Sequence, residues 1–67
     1  MPELRNKLYE ARTRRNLTQA ELAELVGVSR KTINTVENSV FIPSTVLALR
    51  LARALKLSVE ELFQLPR

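Results

Sequence analysis

With 67 residues and no Cys, His or Asp, the chain has room for one domain and neither disulfides nor zinc to staple it. Folding at this size removes only about 60% of the unfolded chain's surface from water, so close helix packing or a second chain must supply the stability. Seven Glu, one Tyr and scattered Lys offer few ways to build a nucleophile–base pair, so an enzyme, a cofactor and a metal are not expected; eleven Lys and Arg leave a net charge of +4.

Apolar residues recur at spacings of three and four with one Gly and three Pro, which predicts an all-helical domain of five helices. The segment Met1–Arg5 reads either as a helical extension or as a short edge strand. The first helix is predicted from Asn6 to Arg15, with Leu8 and Ala11 facing inward. Arg12, Arg14 and Arg15 load its last turn, where cations suit the negative end of the helix dipole. Thr18 and Glu21 form a capping box for the second helix, which Gly27 ends by taking a left-handed conformation cheaply. Ser29 caps the third, which runs to about Asn38. Pro43 precedes Ser44, the cap of a fourth from Thr45 to Leu55 whose apolar stripe takes in Val46, Leu47, Leu49, Leu51, Ala52 and Leu55. Ser58 and Glu61 form a second capping box for a short fifth helix from Val59 to Phe63.

The informative stretch is Gln19 to Val36. Two helices crossing at a tight turn need a small residue at their closest approach, and Ala23 supplies it. The turn needs a residue free to take positive φ, which is Gly27, while Leu22, Val28, Ile33 and Val36 fill the wedge. Ala-x3-Gly-x5-Ile within an apolar frame is far more specific than a lone glycine. It predicts a helix-turn-helix over about residues 18–38 of a single domain spanning 1–67.

The chain resembles the Cro and phage-repressor type of helix-turn-helix, the XRE family. Arg12, the runs Leu17–Ala23 and Gly27–Ile33, Glu37-Asn38, Pro43-Ser44, Leu49–Leu55 and Val59–Phe63 carry the resemblance. It implies an all-α, five-helix, lambda-repressor-like domain. It further implies a homodimer on a near-palindromic double-stranded DNA operator, acting as a repressor. Two departures stand out: Ser39, where the family often has Gly, and the apolar run Val40-Phe41-Ile42 in a loop expected to be polar. Phe41 would then pack on the core or on a partner chain.

Helix geometry selects a contact face without help from the family. At about 100° per residue, Ile33 and Val36 mark the buried side of the third helix. Lys31, Asn34, Thr35 and Asn38 lie opposite, with Arg30 at the margin. Arg30 and Lys31 suit guanine, Asn34 suits adenine, and the Thr35 methyl suits thymine, so these four are the expected base readers. A sequence pI near 10.4 agrees with a nucleic-acid partner, although ribosomal and membrane-surface domains are as basic. From the resemblance, Gln19, Asn38, Ser44 and Thr45 are expected on phosphates, at or near helix starts. Arg14 and Arg15 either join them or only complement the dipole.

Glu37 falls about 40° from Ile33, at the buried margin of the third helix. The family pattern pairs such a glutamate with an arginine of the first helix, here Arg12. A dimer surface is expected at Val59, Leu62, Phe63 and Leu65, unless these residues only close the core of one protomer. No apolar run approaches the roughly 18 residues of a membrane span and no signal peptide opens the chain, so a cytoplasmic protein with no membrane partner is expected. Two other readings stay open: an interaction module that keeps the fold without reading bases, and the DNA-binding end of a larger regulator.

Overall fold

The computed structural model describes residues 4–66. Its elements run β1 (Arg5–Asn6), α1 (Leu8–Arg14), α2 (Gln19–Val26), α3 (Arg30–Glu37), α4 (Thr45–Leu55), α5 (Val59–Leu62) and β2 (Phe63–Gln64). This is the expected all-α architecture, with one two-stranded ribbon added at the chain ends. Met1–Glu3, part of the segment read as extension or strand, lie outside the described residues.

Local chemistry sets four of the five helix starts. Thr18 and Ser58 each accept from the N–H three residues on, at 3.0 and 3.1 Å, while Glu21 and Glu61 reach back to their N–H groups at 2.8 Å. Ser29 and Ser44 cap α3 and α4 singly, accepting from Thr32 and Leu47. Each cap satisfies a donor that the helix start would otherwise leave bare.

The two ends of the chain differ from expectation. Asn6 does not begin a helix, because its backbone pairs with Phe63 in an antiparallel ribbon that also matches Arg5 with Gln64. Its side chain accepts from the Leu8 N–H and donates to the Val36 carbonyl and the Ser39 hydroxyl. One short residue thus ties the start of α1 to the end of α3. For the same reason α5 stops at Leu62: Phe63 turns extended, at φ −127° and ψ 131°, to meet Asn6.

Leu8, Leu22, Ile33, Val36, Leu51, Leu55 and Leu62 are the fully buried large side chains. They come from all five helices, so no helix pair forms the core alone. Within α4, Leu47, Leu51 and Leu55 point inward at four-residue spacing, while Val46 and Leu49 remain more than half exposed. Two of the six residues of the apolar stripe expected on that helix therefore face outward.

The turn between α2 and α3 rests on Gly27, at φ 78°. Its N–H and that of Val28 both bond the Ala23 carbonyl, at 2.8 and 3.0 Å. Space is not what demands glycine, since an added Cβ would meet only the tip of Arg50 at 3.9 Å. The backbone angle is the constraint. Asn16, Ser39 and Lys56 also take left-handed φ, between 57° and 61°. Ser39 therefore keeps the conformation that glycine would favour, and its hydroxyl holds Asn6 in compensation.

The charged element of the interior is Arg12, 8% exposed. Its Nε and Nη2 donate to the two carboxylate oxygens of Glu37, and Nη1 donates to the Leu17 carbonyl at 2.8 Å. Its guanidinium carbon also lies 5.3 Å from the Tyr9 ring centre. The hydrogen bond donated to Glu37 outweighs desolvation and raises the Arg12 pKa, keeping the guanidinium charged. A two-pronged pair of this kind clamps α1 to α3 and the α1–α2 turn to both.

Gly27→Ala is expected to lower stability by about 1 kcal/mol through backbone strain alone, and a β-branched residue by more. An unchanged melting temperature in the alanine variant would contradict the positive-φ account. Arg12→Met should cost roughly 3–5 kcal/mol by stranding Glu37. Adding Glu37→Leu should restore part of that loss; additive losses in denaturant melts would show that the two groups are not coupled.

Candidate nucleic-acid interface

The outer face of α3 is built by what its inner face must do. Ile33 and Val36 are buried against the core, which turns Lys31, Asn34 and Asn38 outward and leaves Thr35 half-buried. Arg30 stands exposed at the first turn, beside a shallow depression around Thr18, Gln19 and Ala20 at the start of α2. Two cations and three neutral polar residues thus share this side. The only acid of α3, Glu37, is committed to Arg12.

Gln19 crosses from α2 to this face. Its Nε2 donates to Glu37 Oε1 at 3.0 Å and to Asn34 Oδ1 at 3.2 Å. Both amide hydrogens are then in use, so an anion approaching Gln19 meets its backbone N–H, free in the first turn of α2. Asn38, the C-cap of α3, turns its Nδ2 inward onto Asn34 O and Oδ1, at 2.9 and 3.0 Å. That leaves the Asn38 carbonyl outward. A phosphate needs a donor, so in this arrangement the Asn38 side chain is not free to make the phosphate contact expected of it. Ser44 and Thr45 are exposed at the start of α4, with the Ser44 hydroxyl accepting from Leu47.

Thr35 donates its hydroxyl to the Thr32 carbonyl at 2.9 Å, and so offers its methyl. The Thr35 carbonyl accepts from both Val40 and Phe41 N–H groups, which pins the following loop onto α3. Phe41 remains 46% exposed and Val40 77% exposed. Phe41 thus does not pack into the core; with Ser29, Lys31, Thr32, Thr35 and Val40 it lines a shallow concavity beside α3. The sequence marks this run as too apolar for a loop, but its placement depends on the Thr35 carbonyl and is not local in the sequence pattern.

Two arginines part company. Arg15 donates from Nε to the Leu55 carbonyl at 3.0 Å, complementing the C-terminal end of α4 rather than that of its own helix. Arg14 is exposed without such a bond among the described residues.

The expected dimer surface needs correction. Leu62 is fully buried and Phe63 is 7% exposed within one protomer, because both close the core under α1 and the ribbon. Leu62 has no exposed surface, and Phe63 keeps only a small exposed edge. Val59 is half-buried and Leu65 is 81% exposed. Val59 joins Leu4, Pro43, Ala48 and Leu49 around a shallow apolar depression floored by Phe63. Among the described residues no helix is long and apolar enough to cross a membrane.

Comparison with known proteins agrees with this geometry. The family model described as helix-turn-helix matches residues 8–62. YgzD of Bacillus subtilis strain 168, an uncharacterized HTH-type transcriptional regulator, is 37% identical over 62 residues, covering 92% of this chain and 94% of its own. A similarly described regulator of Methanothermobacter thermautotrophicus is 46% identical over 61 residues, covering 90% and 88%. Among solved structures, the restriction-modification controller protein C.AhdI from Aeromonas hydrophila superimposes with a TM-score of 0.77 at 39% identity, over 81% of this chain and 82% of its own. With that match over most of its length and the turn at Gly27 in place, this chain belongs to the XRE-type helix-turn-helix family.

Proposed function

We propose that the protein is a sequence-specific double-stranded DNA-binding transcriptional regulator that inserts α3 into the major groove. The observation that carries this reading is the outer face of α3. Arg30, Lys31, Asn34 and Thr35 stand there with no unpaired acid, on a helix whose other side is fixed in the core. An ordinary solvated helix face in a chain with seven Glu would carry one. Arg30 and Lys31 supply donors to guanine, and the Thr35 methyl meets a thymine methyl. The starts of α2 and α4, at Gln19 and at Ser44–Thr45, present N–H groups and positive dipole ends to the backbone on either side.

The reading includes a homodimer on a near-palindromic operator. One protomer measures 31 × 21 × 20 Å, so two side by side reach successive major grooves, about 34 Å apart. Val59, from the expected set, lies with Leu49 around an apolar depression that a second copy would cover, and Leu65 is exposed. A dimer seated on an operator excludes other proteins from the same DNA, and repression follows most directly from that occlusion.

Selection from a random duplex pool should enrich a palindrome whose half-sites sit one turn apart. Failure to enrich any sequence would favour an interaction module instead. On the selected site, affinity should fall steeply between 50 and 200 mM salt, because each phosphate contact releases counterions. Lys31→Ala should lower affinity by about 1–3 kcal/mol and relax one base position. A uniform loss on all sequences would make Lys31 a phosphate contact.

A further inference from the structure

Asn34 was expected to read adenine, because a free carboxamide offers one donor and one acceptor. Its neighbours remove that freedom. Arg12 can only donate, so Glu37 beside it is a carboxylate that can only accept. Gln19 therefore must turn Nε2, not Oε1, toward Glu37. That same nitrogen lies 3.2 Å from Asn34 and directs its second hydrogen there, so the Asn34 atom facing it is Oδ1.

A second chain of contacts, independent of the first, reaches the same answer. The backbone carbonyl of Asn34 can only accept, so Asn38 must present Nδ2 to it at 2.9 Å. That nitrogen also lies 3.0 Å from Asn34 Oδ1 and directs its other hydrogen to it. Both lone pairs of Oδ1 are occupied. Asn34 Nδ2 has no hydrogen-bond partner among the described residues and belongs to an exposed side chain.

We infer that Asn34 is a donor-only reader that selects guanine, its polarity imposed by the buried Arg12–Glu37 pair through Gln19. Guanine shows two adjacent acceptors, N7 and O6, in the major groove. Adenine sets its N6 hydrogens beside N7 and opposes a group with nothing left to accept them. Asn34 then resembles Lys31 in what it offers a base, and the two neighbouring readers favour G-containing sites. Specificity at this position is set by residues that touch no base. The inference rests on the DNA-binding reading above and names the base that reading leaves open.

The test starts from the selected operator. Asn34→Ala, at an exposed site, keeps the fold and identifies the base pair whose preference it relaxes. Guanine is expected there in the wild-type selection, and 7-deazaguanine at that position should weaken wild-type binding at least about fivefold while leaving Asn34→Ala unaffected. A Gln19→Met, Asn38→Ala double variant frees the amide, and its guanine-to-adenine ratio at that position should fall by a similar factor whatever its overall affinity. Adenine at the Asn34 position, or a ratio unmoved in the double variant, overturns the donor-only assignment. So does an Asn34→Ala variant that relaxes no position. If no duplex is enriched at all, the DNA-binding reading itself falls and the inference with it.

Discussion

The Arg12–Glu37 pair is the constraint on which the rest depends. In a domain of this size total stability is roughly 3–10 kcal/mol, so the roughly 3–5 kcal/mol lost when one partner of a buried, two-pronged ion pair is removed is a large share of it. Arg12 joins three parts of the chain through one guanidinium: α1, which carries it, the Leu17 carbonyl of the α1–α2 turn, and the last residue of α3. Hydrophobic packing alone is not directional and would let α3 roll about its axis by several degrees at little cost. The pair removes that freedom at one end of α3, and Asn6 removes it again by holding the Val36 carbonyl.

The outer face of α3 inherits its order from this arrangement. Glu37 spends one oxygen on both Arg12 and Gln19, Gln19 passes its second hydrogen to Asn34, and Asn38 closes the group from the other side. The polar surface is thus continuous with a buried charge pair instead of being a set of independent side chains in water. Preorganisation of this kind lowers the entropy lost on binding, because fewer rotamers remain to be fixed.

What was legible in the sequence was local. The boxes Thr18–Glu21 and Ser58–Glu61, the caps Ser29 and Ser44 and the glycine turn all act within four residues, so spacing alone revealed them. Four helices and the turn followed. The ends were less legible, because a ribbon of two residues per strand has no periodicity to detect. Phe63 and Leu62 looked available to a partner only because their contacts with the ribbon and α1 are distant in sequence. Arg15 likewise reads as a charge on its own helix, while its partner carbonyl is forty residues away. Of the outward face, residue identities were readable at 100° steps. The direction of each amide was not, since it depends on a hydrogen-bond chain that begins at Arg12.

The most direct test of this account is the exchange of side-chain amide protons in the free, isotope-labelled protein, followed by NMR. Both Gln19 Nε2 protons should exchange with water more slowly than those of a glutamine in a short unstructured peptide, and the Asn34 Nδ2 protons should exchange freely. Gln19 protons exchanging as fast as solvated amides, with Asn34 protected instead, would show that the buried pair does not set the polarity of the reading face.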